Sequence, residues 1–249
     1  MIEVRNLYKS FGENDVLKGL YLTVEERKAT VVIGRSGIGK SVLLRCMSGL
    51  LRPDSGEIFI DGDDITKASR AKLLKIRSKI GMLFQEGALF DSLTVFENVA
   101  FPLAYHQLYS EDEIKRKVMK YLDIVEMEKF VDAYPGELSG GMRRKVAIAR
   151  AMILEPKYLF YDEPTSGLDP YSSAVVEIMI KKLQSELNIT SLIVTHDIEL
   201  TRFIADYIAL LENGKITAME SRDKAFTEDS LVYDHFIKRR ERIRAENGY

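Results

Sequence analysis

The stretch Thr30-Val31-Val32-Ile33-Gly34-Arg35-Ser36-Gly37-Ile38-Gly39-Lys40-Ser41-Val42-Leu43-Leu44 decides the fold. Its first four residues are β-branched, a composition that suits a buried pleated strand, and the run stops at Gly34. Ser41 to Leu50 is apolar at helical spacing. Strand, glycine-rich loop and helix in that order give the context that a phosphate-loop pattern needs, and Gly34 to Ser41 fits that pattern. The glycines let successive backbone N–H groups converge on a phosphate chain, and the following helix presents its positive end. Lys40 supplies a charge for β- and γ-oxygens, and the Ser41 hydroxyl is a ligand for Mg²⁺. An accidental glycine-rich turn would lack these flanks. The pattern alone implies nucleotide binding and nothing more.

Outward from the loop, Ile2 to Val24 alternates and predicts short strands. A break at Pro53, Ser55 and Gly56 precedes a strand at Glu57 to Ile60, and Ile80 to Phe84 is another. The region from about Leu93 to Lys129 reads as mostly helical, with Ser110 and Glu113 forming a capping box before Ile114, Val118, Leu122 and Val125. Then come a helix from Gly140, a strand at Tyr158 to Tyr161, a helix from Pro170, a strand at Ser191 to Thr195 and a hairpin turning at Asn213-Gly214. Helices alternating with short β-rich runs imply an α/β chain with a mainly parallel sheet. There is no internal repeat and no low-complexity stretch.

The 249 residues suffice for one large α/β domain with an inserted subdomain, not for two fused copies. A net charge of -2 gives no bulk signal for nucleic acid or an anionic membrane surface. Cys46 is the single cysteine, which excludes an internal disulfide and fits a reducing compartment. It reads as a small core residue on the helix after the loop rather than a reactive thiol. No apolar run approaches the ~20 residues that cross a bilayer. Met1 to Phe11 is charged throughout and lacks the apolar core of a signal peptide, so the cytoplasm is the expected compartment.

Tyr158-Leu159-Phe160-Tyr161-Asp162-Glu163 is an apolar strand ending in two acids, a pattern that puts carboxylates at the carboxyl edge of the sheet beside the phosphate loop. Two adjacent acids invite a division of labour. Asp162 is expected to hold the Mg²⁺ sphere, and Glu163 to orient and polarise the attacking water as general base. An ordinary acidic strand end is the plainer alternative.

Leu138-Ser139-Gly140-Gly141-Met142, together with Gln85, Ser166-Gly167-Leu168-Asp169 and His196, resembles in order and spacing the signature, Q-loop, D-loop and switch-histidine elements of ABC ATPases. The resemblance runs from Ile2 to about Glu220. Ser139 can cap a helix whose first N–H groups, at Gly140 and Gly141, form a second anion site. The resemblance implies a P-loop NTPase fold: a RecA-like core with an antiparallel β subdomain at residues 1–85 and 144–229, a helical signature subdomain at 86–143, and a tail at 230–249. It implies ATP and Mg²⁺ as cofactors, with ATP contacts along Gly34, Arg35, Ser36, Gly37, Ile38, Gly39, Lys40, Ser41 and Val42. Metal ligation falls to Ser41, Gln85 and Asp162, the γ-phosphate contact to His196, and adenine stacking to Phe11. Ser139, Gly140 and Gly141 would complete the ATP site of a second copy in a two-fold dimer, with Asp169 at its seam.

One departure is Met142, where the family usually has Gln, because a thioether cannot replace an amide's hydrogen bonds. The next residues, Arg143, Arg144 and Lys145, read as a solvated face rather than nucleotide ligands.

Gly81 to Val99 is unusually apolar, and exposed apolar surface there would form a docking groove. Its wording, with the loop through Val42 and the Met-ending signature, looks like the ATPases of Mla and Mce phospholipid-transport systems. That narrower resemblance implies an integral-membrane permease and a lipid-carrier (Mce-type) subunit as partners, no nucleic acid, and work at the cytoplasmic face of the inner membrane. Other importers, lipoprotein-release systems and cell-division-type signalling ATPases would share the same engine. A tail helix bearing Val232, Phe236 and Ile243 beside Lys238, Arg239, Arg240 and Arg242 reads either as a docking element or, more plainly, as a solvated terminus.

Overall fold

The computed structural model describes residues 1–106 and 109–238. In chain order its elements are β1 (Ile2–Phe11), β2 (Asn14–Val24), β3 (Ala29–Ile33), α1 (Lys40–Met47), β4 (Ser55–Ile60), β5 (Asp63–Asp64), α2 (Arg70–Arg77) and β6 (Ile80–Leu83). There follow α3 (Val95–His106), α4 (Glu111–Ile124), α5 (Gly140–Met152), β7 (Tyr158–Asp162), α6 (Pro170–Leu187), β8 (Thr190–Thr195), α7 (Ile198–Ile204), β9 (Tyr207–Glu212), β10 (Lys215–Ser221) and α8 (Arg222–Ala225). The chain forms two compact units, one of residues 1–76 and 190–249 and one of residues 77–189.

The first unit holds an antiparallel sheet, ordered β2-β1-β4-β5, and the run β10-β9-β3-β8, in which β3 is parallel to both β8 and β9. Every residue of β3 and of β8 is buried, as a parallel strand covered on both faces requires. Helices α7 and α1 pack on β3 and β8. The short strands anticipated between Ile2 and Val24 are in fact two long ones of 10 and 11 residues. Register shifts between Val4 and Leu7, between Leu7 and Tyr8, and between Lys9 and Ser10 break the alternation, so one bulged strand reads in the sequence as several. The hairpin between β9 and β10 turns where anticipated, with both Asn213 and Gly214 at positive φ.

The second unit is built around α5, which packs against α3, α4, α6 and β6. Val146, Ile148 and Met152 on α5 are fully buried, and each contributes about 1.5–3 kcal/mol. The capping box at Ser110 and Glu113 opens α4, and Thr94 with Glu97 makes a second one at α3. Beyond β10, Val232 is buried and Ser230 donates to Glu220 at 2.5 Å. The tail residues Arg239, Arg240, Arg242 and Ile243 lie outside the described residues.

Cys46 is buried on α1, and burial pushes its thiol up to about 12, with Lys9 opposing the rise. The thiolate is the reactive species, so the folded chain should resist alkylation by iodoacetamide at pH 8 and label once unfolded in guanidinium. Equal labelling rates with and without denaturant would contradict this burial.

Candidate active site

The phosphate loop is shaped by its strand and by what crowds it. Gly39 caps α1 at φ 111° and Gly37 has φ 76°, both in the left-handed region that residues with a Cβ avoid. Gly34 is small for a different reason, since a Cβ there would lie 2.7 Å from the Leu211 carbonyl oxygen. Lys40 is 5% exposed, and its Nζ donates to the carbonyls of Gly34 (3.0 Å) and Arg35 (3.2 Å). The ammonium thus arches back across the loop and closes it.

Parallel register places His196. Ile33 is level with Thr195, so Gly34 and His196 leave adjacent strands one residue beyond the same point. His196 is exposed there, between β8 and α7. Asp197 caps α7, accepting from the amides of Glu199 (2.9 Å) and Leu200 (3.2 Å), while its own amide donates to Thr195 Oγ1 (3.0 Å). The histidine therefore sits on a turn pinned at both sides. Phe11 ends β1 half-exposed, with the Lys9 ammonium 5.3 Å from its ring centre.

The same register logic governs the second unit. Leu83 of β6 is level with Tyr161 of β7, so Phe84-Gln85 and Asp162-Glu163 leave parallel strands side by side. Asp162 and Glu163 are both buried, and Glu163 has φ 47°. A non-glycine residue in that region costs on the order of 1–3 kcal/mol and persists where surrounding structure imposes it. Gln85 and Glu86 are exposed at the tip of a turn closed by Gly87 N–H donating to the Phe84 carbonyl at 2.8 Å.

The signature residues form the start of α5. Ser139 is its N-cap and accepts from Met142 N–H at 3.3 Å, the capping role anticipated for it. Added Cβ atoms at Gly140 and Gly141 would lie 3.1 Å from Leu168 Cδ2 and 3.0 Å from Ser172 Cβ, so both glycines pack closely on the segment that follows Ser166 and a larger residue would require those side chains to shift. Asp169 caps α6, accepting from the Ser172 amide (3.0 Å) and hydroxyl (2.5 Å). The Ser172 hydroxyl, then the amide, hold its carboxyl below the usual range.

The three basic residues after Met142 divide. Arg143 is exposed, as anticipated, whereas Lys145 pairs with Glu126 at 3.0 Å and Arg144 is buried. Arg144 donates to the carbonyls of Phe84 (2.9 Å) and Ser166 (3.2 Å), so it is not part of a solvated face. Arg150 holds the next carbonyls, Gly87 (2.7 Å) and Ala88 (2.8 Å). Buried Asn98 accepts from Phe90 N–H at 2.8 Å and places its amide nitrogen 3.0 Å from the carbonyls of Phe90, Leu93 and Thr94. Arg150, Asn98 and Asp197 carry no motif. The one sequence signal for Arg150 and Asn98 is a polar residue among apolar neighbours on a helix.

Ser41, Gln85 and Asp162 supply hard oxygen donors, the type Mg²⁺ accepts, and such sites use few protein ligands plus phosphate and water. No cluster of three His, Cys, Asp or Glu able to hold an ion exists among the described residues. The open space around Gly37, where a Cβ would meet nothing within 4 Å, fits a loop that wraps a ligand.

A phosphate loop, a second helix N-terminus with two packed glycines, and the Gln85 and His196 turns together define an ABC-type ATPase. The family model described as ABC transporter matches residues 17–166, and the chain belongs to that family as an ATP-binding, ATP-hydrolysing member. It is 40% identical over 238 residues to the intermembrane phospholipid transport system ATP-binding protein MlaF of Haemophilus influenzae, covering 96% of this chain and 90% of that protein. It is also 40% identical over 239 residues to the probable ribonucleotide transport ATP-binding protein mkl of Mycobacterium tuberculosis, covering 96% and 67%. Among solved structures, the ATP-binding cassette MJ0796, dimeric in a post-hydrolysis state with ADP and Pi, superposes with a TM-score of 0.82 at 34% identity over 89% of this chain and 99% of that one.

Asp197→Ala removes the acceptor of two backbone N–H hydrogen bonds at the cap beside His196 and should lower stability by about 1 kcal/mol. It should also lower ATP turnover, with Asp197→Asn largely restoring both. Chemical denaturation and steady-state ATPase assays check it, and unchanged turnover would show that the cap does not orient His196.

Proposed function

We propose that this chain is the ATPase of a transporter that moves phospholipid between membranes through a separate integral-membrane permease. The observation that carries the coupling is an apolar groove on the turn that presents Gln85. Phe90 and Phe101, each 43% exposed, meet at 4.7 Å between ring centres, and Met82, Phe84 and Leu154 help line a cavity of about 450 Å³. Exposed aromatic surface of this kind suits an apolar helix, and no helix among the described residues is long and apolar enough to cross a membrane. The likeness to MlaF supports phospholipid as the cargo. On this reading the chain works at the cytoplasmic face of the inner membrane, with a lipid-carrier subunit completing the system.

Lys40 neutralises charge on the β- and γ-phosphates, the loop amides wrap them, and Phe11 stacks on adenine. Glu163 accepts the proton of a water that attacks the γ-phosphorus as the bond to the β-γ bridging oxygen breaks. His196 contacts the γ-phosphate and Gln85 the water. Magnesium, held by Ser41, Asp162 and Gln85, would neutralise charge developing on the phosphate oxygens. Ser139, Gly140 and Gly141 serve the ATP of a second copy, so two chains close around two nucleotides. The backbone anion site does not depend on the side chain of Met142, so the γ-phosphate contact persists without the usual Gln.

Glu163→Gln keeps the size and shape of the side chain but removes the base. It should retain ATP affinity, reduce turnover at least 100-fold and trap a dimer in ATP and Mg²⁺, seen by size-exclusion with light scattering. A variant that remains monomeric under saturating nucleotide would count against the shared site.

Phe90→Asp tests the groove. The side chain is exposed, so the isolated subunit should bind ATP as the wild type does, while permease co-purification from membranes is lost. Lipid analysis of the wild-type complex should find phospholipid, and a ribonucleotide, peptide, sugar or metal ion as the cargo would overturn the proposed substrate.

A further inference from the structure

Arg144 lies on the second turn of the helix that Ser139 caps, and it is only 5% exposed. A buried guanidinium without a carboxylate at hydrogen-bond distance is unusual, because desolvation penalises its charge. Burial does press this group below its ordinary pKa, with the charge of Glu86 opposing. Its two terminal nitrogens donate to two backbone carbonyls from different loops. One is Phe84, the residue before Gln85, and the other is Ser166, which opens the segment leading to Asp169. Arg143, Arg144, Gln85, Glu86, Gly140 and Ser166 border a cleft of about 470 Å³, so space adjoins these loops and packing alone does not fix them.

We infer that Arg144 is a positioning residue that makes the Gln85 turn, the Ser166–Asp169 segment and the start of the signature helix move as one body. Each arm of the planar fork fixes one loop relative to α5, and α5 begins at the second anion site. A Gln85 displaced by nucleotide would draw Phe84, hence Arg144, hence both Ser166 and the Ser139 cap. Arg150, on the same helix, pins Gly87 and Ala88, so the Gln85 turn hangs between two guanidinium anchors. The arrangement assigns Arg144 no contact with nucleotide. It acts through the residues it holds, and the inference rests on the reading of Gln85 and Asp169 as residues of the ATP site.

Arg144→Lys keeps the charge but offers a single ammonium head, which cannot reproduce the fork. In the full-length chain, kcat should fall by about 10-fold to 100-fold with KM for ATP unchanged, because binding does not use Arg144 while placement of the reacting groups does. Gln85→Ala is measured alongside, together with the double variant. If the two residues act as one unit, the double variant is no slower than the slower single variant.

Three outcomes overturn the inference. In the first, Gln85→Ala is slow and Arg144→Lys turns over like the wild type, so only the positioning role fails. In the second, Arg144→Lys lowers the thermal midpoint without changing kcat per folded molecule, or its effect adds fully to that of Gln85→Ala, which leaves a merely structural role. In the third, Gln85→Ala itself retains wild-type turnover, so the underlying reading of the site falls and the inference falls with it.

Discussion

Parallel strands that run in register must release their chains at the same level, and this constraint positions the chemistry in each half of the molecule. Ile33 level with Thr195 brings the phosphate loop and His196 out of neighbouring strands together. Leu83 level with Tyr161 does the same for Gln85 and the Asp162-Glu163 pair. A slip of one residue would turn each of these side chains to the opposite face, so the buried β-branched and aromatic residues behind them are what fix the chemistry in front. The core determines the site through register rather than through contact.

What register cannot do is hold a loop after it has left the sheet. There the structure uses side chains to hold backbone. Lys40 closes the phosphate loop through two carbonyls, Asp197 fixes the His196 turn through two amides, and Asn98 binds both backbone groups of Phe90. Arg144 and Arg150 do the same on either side of Gln85. A charged donor on a carbonyl is worth about 1.5–3 kcal/mol against roughly 1 kcal/mol for a neutral pair, so a few such bonds can order a turn with no ladder of its own.

The sequence disclosed the groups proposed to meet phosphate better than the side chains that hold their loops. Gly34 to Ser41, Ser139 to Gly141 and Asp162-Glu163 are legible because the chemistry proposed for them demands residue types at fixed spacing. Strand positions at β3, β7 and β8 and the turn at Asn213-Gly214 were legible because β-branched or aromatic apolar runs and positive-φ residues admit few readings. The long bulged strands β1 and β2 were not, since a bulge erases the period-two pattern. Arg144 was misread for a related reason. A basic residue between Arg143 and Lys145 looks solvated, and nothing local shows that its partners lie 60 and 22 positions away along the chain.

That distribution has a physical origin. Groups that touch a ligand are constrained by the ligand, which is the same in every copy of the chemistry, whereas groups that hold a loop are constrained by the path of that loop alone. Helix α5 joins the two kinds. Its first turn holds Gly140 and Gly141, the residues proposed to meet a phosphate, its second carries Arg144 and, six residues and about 9 Å further on, Arg150 reaches the far side of the Gln85 turn. A helix is stiff along its axis, so a displacement felt at either guanidinium is delivered to the amides at its start. The apolar groove beside Phe90 is fastened to that same helix, because Arg150 holds Ala88 and lies 5.8 Å from the Phe90 ring centre. On the proposed function, a displacement of α5 by nucleotide would therefore be presented at the surface offered to a membrane partner.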